Sequence, residues 1–121
     1  MHQIYFYKDK RGKEPVLDYI KALSSKTDKD SRIKANKIRD YMRYLKENGL
    51  GSKEPYVKRL DNEILELRPL QDRILFATWQ DDSFIVLHHF IKKTQKTPRR
   101  EIDKAKKNLR KYEELKKHGK K

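Results

Sequence analysis

FIVLHHFIKKTQKTP, residues 84–98, changes character halfway along. Its first half is a short run of β-branched, aliphatic and aromatic residues, the composition of a buried strand. His88, His89 and Phe90 close that run, Lys92 and Lys93 follow at once, and Thr97-Pro98 reads as a helix start. One strand thus carries cations and hydrogen-bonding groups to its own exit. With side chains alternating along a strand, Phe84, Val86, His88 and Phe90 are expected on one face and Ile85, Leu87, His89 and Ile91 on the other.

Upstream lie three more strand-like pieces, 57–60, 64–68 and 73–79. Asp61-Asn62, the stretch 69–72 and Asp81-Asp82 separate the four, each a short turn of suitable composition. Short connections make an antiparallel meander. Arg68 and Arg73 then flank one turn, and the exit at Lys92-Lys93 returns to the same end. Before the meander, Ile4, Tyr5, Phe6 and Tyr7 form a short strand, and residues 8–13, with Gly12, a turn. Pro15 opens a helix through Val16, Tyr19, Ile20 and Leu23. Asp28 or Asp30 caps a longer helix lined by Ile38, Tyr41, Met42 and Leu45, with Ile33 extending the stripe and Asn48-Gly49 ending it. A last helix carries Ile102, Ala105, Leu109 and Tyr112 on its apolar stripe, and residues 116–121 are expected to fray. The order β-α-α-β-β-β(-β)-α predicts an α+β fold, one domain over 1–121, with one sheet face on the helices and the other toward water. Trp79 and Tyr41 are expected as core or interface aromatics.

The chain holds 32 Lys+Arg against 18 Asp+Glu, a net charge of +14, which selects for a polyanionic partner. The excess is uneven: residues 92–121 carry a net +10 and residues 1–91 only +4. Cysteine is absent, which excludes disulfides and thiolate metal sites. No metal or cofactor is expected. No apolar run approaches the roughly 20 residues of a membrane span, and the N-terminus is too short and too alternating for a signal peptide. The expected setting is the cytoplasm.

Arg68, Arg73, Lys92 and Lys93 at one rim, with few acids nearby, suit a phosphodiester. Guanidinium forks bind phosphate oxygens in pairs and stabilise the charge added at phosphorus during attack. RNA can supply its own 2′-hydroxyl as nucleophile, so only proton transfer remains to be provided, by Glu66, His88, His89 or a lysine among cations. Lys58, Arg59 and Lys96 extend the basic surface along an RNA backbone, and Thr94 adds a hydroxyl for hydrogen bonding to it. The plainer readings stand beside these. The arginines can simply pair with Glu66 and Asp72, Glu66 can serve only to orient Arg68, and a strand-end histidine is commonly structural.

The segments LDNEILELRP, DRILFATW and IVLHHFIKKTQKTP with its following helix resemble the HigB-type branch of the RelE/ParE toxin superfamily. The resemblance spans nearly the whole chain in element order. It implies a RelE-like fold and the toxin of a type II toxin–antitoxin pair, bacterial or prophage-encoded. It implies a metal-independent endoribonuclease cutting mRNA on the translating ribosome, restrained by a HigA-type helix-turn-helix antitoxin. Arg68 matches the arginine ending the family's ELR strand and Arg73 the one opening the next. Lys92 and Lys93 match its double lysine, Thr94 the following hydroxyl, and His88 the position before a small-residue–Phe pair. His89 departs from that pattern.

Two rival functions remain open. A ParE-like gyrase inhibitor needs no RNA-cleaving residues, and a DNA-supercoiling assay separates it. A noncatalytic nucleic-acid-binding module needs charge alone. A membrane-surface role for the basic last helix competes with that helix's part in the core.

Overall fold

The first helix begins where proline's fixed φ costs nothing. In the computed structural model, which describes residues 2–51 and 55–118, α1 spans Pro15–Ser25 and buries Val16 and Leu23. Helix α2, Lys29–Asn48, starts at Asp28, whose carboxylate accepts the Ser31 N–H at 3.0 Å. It stops at Gly49, which has a φ of +54° and lies so close to the His2 ring that a Cβ there would displace the imidazole. Buried Ser31, Ala35, Ile38 and Leu45 mark its inner face. Ile33 does not extend that stripe and is 42% exposed. Five residues from Ile38, it sits about 140° around a helix turning about 100° per residue.

Among the described residues three α-helices and five strands form one α+β unit. The strands are β1 Ile4–Phe6, β2 Val57–Arg59, β3 Leu65–Leu67, β4 Asp72–Trp79 and β5 Ser83–Ile91, in sheet order β1-β5-β4-β3-β2. The antiparallel meander β2 to β5 is the one expected. Strand β1 adds to it in parallel, Ile4 opposite Phe84 and Phe6 opposite Val86. The β4–β5 hairpin turns through Gln80, Asp81 and Asp82; the Ser83 N–H donates to the Gln80 carbonyl at 3.1 Å across the two aspartates, both at positive φ.

The expectation of one solvated sheet face is wrong. Leu65, Leu67, Ile74, Phe76, Phe84 and Val86 pack toward α1 and α2. Ile64, Leu75, Ala77, Ile85 and Leu87 pack on the other side against Ile102, Ala105, Leu109 and Tyr112 of α3, Arg99–His118. A fully buried aliphatic or aromatic side chain contributes about 1.5–3 kcal/mol, so α3's stripe settles on the apolar sheet face opposite α1 and α2. Helix α3 remains helical through His118; the rest of the stretch expected to fray lies outside the described residues.

The expected alternation along β5 also fails, at one residue. Phe76 pairs with Val86 but Leu75 with His88, so Leu87 is an extra residue, a β-bulge. Beyond it the faces are exchanged. His88 and Phe90 join Ile85 and Leu87 on the α3 side, and His89 joins Phe84 and Val86 on the α1/α2 side.

Candidate functional site

Short connections bring the predicted cations to one rim. The Lys92 N–H donates to the Gln71 carbonyl at 2.8 Å, fastening the exit of β5 to the β3–β4 turn. That turn passes through Leu70 at a φ of +57° and closes with the Asp72 N–H on the Pro69 carbonyl at 3.0 Å. A non-glycine residue there carries local strain. Arg73 braces it: its Nη1 donates to the Leu70 and Asp72 carbonyls, both at 2.8 Å. Arg73 is only 6% exposed, and burial, together with the Arg68 charge, lowers its pKa against the pull of Glu66 and Asp72.

Arg68 lies beside it, its side chain 25% exposed and its Nε 3.6 Å from Glu66 Oε1. That Nε is buried and without a hydrogen-bond partner among the described residues. Glu66 is 1% exposed, and its Oε2 accepts the Thr97 hydroxyl at 2.6 Å. A buried carboxylate on β3 thus ties down the segment leading into α3 while facing Arg68. In sequence Thr97 reads only as a helix start; its link to Glu66 crosses 31 residues and leaves no local signal.

Lys92 is half-buried, and Lys93 and Lys96 are exposed. Among the described residues none of the three enters an ion pair. The Thr94 hydroxyl donates to the Lys96 carbonyl at 2.8 Å, which shapes the loop. Lys58 is exposed and stands directly across from Glu66 in the β2–β3 pairing. Arg59 lies toward the other end, where its Nη1 reaches the Asp61 and Asn62 carbonyls at 3.2 and 3.4 Å. It braces the β2–β3 turn, away from the rim.

The bulge gives the two histidines different surroundings. His88 Nε2 is 2.6 Å from Glu101 Oε1 on α3. Burial depresses the His88 pKa and outweighs the opposing pull of Glu101, so the imidazole is neutral near pH 7. On the other face His89 Nε2 is 2.9 Å from Asp72 Oδ1, and its ring stacks on Tyr19 with centroids 3.9 Å apart. The Tyr19 hydroxyl donates to the same Asp72 oxygen at 2.6 Å, and Lys34 Nζ stands 3.8 Å away. Burial alone would raise the Asp72 pKa; the hydrogen bonds from His89 and Tyr19 and the Lys34 charge prevail and lower it. Burial and that carboxylate push the Tyr19 hydroxyl well above its usual range. This cluster has no counterpart among the residues expected at the site from sequence. Its members come from α1, α2, β4 and β5, and no local motif joins them.

The rim on the α3 side can therefore hold an anion through Arg68 and the lysines that follow β5, with a neutral imidazole on the same face. Trp79 packs edge-on against Tyr112, and Tyr41 tilts against Tyr56, which places both aromatics in the packing as expected.

A family model described as phage-derived protein, Gp49-like (DUF891), matches residues 18–110. The match runs from α1 through most of α3 and includes every residue of the rim. No curated protein matches the chain. Among the described residues no helix is long and apolar enough to cross a membrane.

Proposed function

We propose, from the premise that this chain belongs to the Gp49-like family of phage-derived proteins within the RelE/Gp49 toxin group, that it is a HigB-type toxin cleaving mRNA on the translating ribosome. The observation that carries the reading is the rim itself. Arg68 is oriented by a buried carboxylate, and Lys92, Lys93 and Lys96 lie on the segment that leaves β5 and is tied back by Thr97 to that same carboxylate, without acidic partners among the described residues. Such a rim attracts and fixes a phosphodiester.

In this mechanism Arg68 contacts the scissile phosphate and stabilises the pentacovalent phosphorus, while Glu66 and Thr97 hold its guanidinium in place. Neutral His88 takes the proton of the 2′-hydroxyl as the 2′-oxygen attacks phosphorus, and Glu101 stabilises the resulting imidazolium. The bond from phosphorus to the 5′-oxygen breaks, and that oxygen takes a proton from Lys93. The products are a 2′,3′-cyclic phosphate and a free 5′-hydroxyl. Arg73 serves by holding the turn that places Arg68. Lys58, Lys92, Thr94 and Lys96 position the strand, whereas Arg59 lies too far round the sheet for the same contact. The partners in this reading are mRNA, the ribosome and a cognate HigA-type antitoxin, in the cytoplasm.

One observation favours a noncatalytic binding module: Glu66 and His88 already hold protein partners. Cleavage of mRNA in a reconstituted translation system, with naked RNA in parallel, decides between the two. Cuts that the native protein makes and Arg68→Ala does not support the enzyme. Salt-sensitive binding without cuts by folded native protein supports the module.

A further inference from the structure

The apolar stripe of α3 runs one turn longer than the sheet surface it covers. Ile102, Ala105, Leu109 and Tyr112 are buried, but Leu115, next on the stripe, is 57% exposed. Strand β1 ends the sheet on that side, and its Tyr5 is 44% exposed. Two adjoining cavities of about 650 and 510 Å³, both lined by Lys8 and Leu115, make the groove that lies between β1 and the C-terminal half of α3. Tyr5, Trp79, Tyr112 and Leu115 give it an apolar floor. Lys8, Lys10 and Lys111 stand along it without ion-pair partners among the described residues, and Lys116 lies over the Tyr112 ring at 5.5 Å. Asp81 and Glu114 also line it, so the cations are in excess.

We propose that this groove docks an acidic, amphipathic segment of a partner protein, its apolar side chains on Tyr5, Trp79 and Leu115 and its carboxylates on Lys8, Lys10 and Lys111. An exposed apolar strip rimmed by charge is the form of a protein-binding groove. The charge selects the occupant. A second copy of this chain, net +14, would bring cations onto cations, whereas an acidic segment is steered in and held in register. The Trp79 end of the groove lies at the Trp79–Ser83 end of the β4–β5 pairing and the rim at the Asp72–Ile91 end. Those ends are about 23 Å apart at about 3.3 Å per residue.

Trp79 is the chain's one tryptophan and lines the groove, so its fluorescence reports occupancy. The probe is a short synthetic helical peptide with leucines on one face and glutamates on the other. The expected result is a blue shift of Trp79 emission on titration. Affinity should fall about tenfold or more in Tyr5→Ser/Leu115→Ser, and by a similar factor in Lys8→Glu/Lys111→Glu. All four side chains are exposed, so neither variant disturbs the core, and circular dichroism checks the fold. The proposal is overturned if native protein gives no shift, or if a glutamate peptide lacking leucine binds equally well. It is also overturned if the serine variant keeps full affinity, or if single-stranded RNA produces the shift and the peptide does not.

Discussion

Asp72→Asn removes one negative charge from a fully buried position and keeps the side chain's volume. In the native protein Oδ1 takes two hydrogen bonds, from Tyr19 at 2.6 Å and His89 at 2.9 Å, with Lys34 at 3.8 Å. Bonds to a charged acceptor contribute about 1.5–3 kcal/mol each. The buried Oδ2 has no partner among the described residues and offsets part of that gain. Asparagine keeps one acceptor oxygen for Tyr19 but loses the charge and leaves a buried amide without a partner. The expected loss near pH 7 is about 2–3 kcal/mol. In urea that lowers the midpoint by roughly 1 M at a slope of about 2 kcal/mol/M. The sign with pH follows from the lowered native pKa. The carboxylate's contribution is complete above 3.8, the unfolded value, and is lost as pH falls through the lower native value. The gap between native and variant midpoints must therefore narrow on acidification below about 3.8. Equal midpoints near neutrality, or a gap that widens in acid, would refute the argument.

Three further outcomes follow from the rim. Arg68→Ala should lower the single-turnover cleavage rate about 100-fold or more, since the lost contact is to the reacting phosphate; it also removes a cation facing the buried Glu66 carboxylate, so the thermal midpoint falls and the rate is read well below it, on protein that circular dichroism shows folded. His88→Gln should flatten the acid limb of stability: the native His88 pKa lies below 6.5, so the native protein loses stability as pH falls below 6.5 toward that lower value, and urea midpoints over that window measure it. Lys92→Ala/Lys93→Ala should weaken RNA binding for all sequences alike and reduce the slope of log K against log salt by about 2, read by fluorescence anisotropy at several salt concentrations.

Features with local causes were legible in the sequence. Pro15, Asp28 and Gly49 set helix ends by their own backbone and capping chemistry, and the turn residues placed the four meander strands. Arg68, Arg73 and Lys92 converge because short turns leave no other arrangement. What was missed depends on contacts between distant segments. Nothing near Ile4 specifies a parallel pairing with Phe84, and nothing near Ile102 specifies which sheet face α3 covers. The bulge at Leu87 left no mark in an unbroken apolar run, yet it reassigns both histidines. The Asp72 cluster joins Tyr19 and His89 across 53 and 17 residues. The buried role of Arg73 was hidden for a related reason: a strand-opening arginine reads as a surface cation until the turn beneath it needs a donor.

The parallel pairing of β1 has a kinetic consequence. Ile4 must wait for Phe84, about 80 residues later, before it has a partner. The strands of the meander, by contrast, find neighbours within a few residues. Closing so long a loop costs entropy before any contact repays it. The meander is therefore expected to form first, and the N-terminal strand to dock late onto an edge already made. Until it docks, the sequence IYFY remains an unpaired, sticky strand in the nascent chain, and the exposed edge of β5 is open to any other extended peptide.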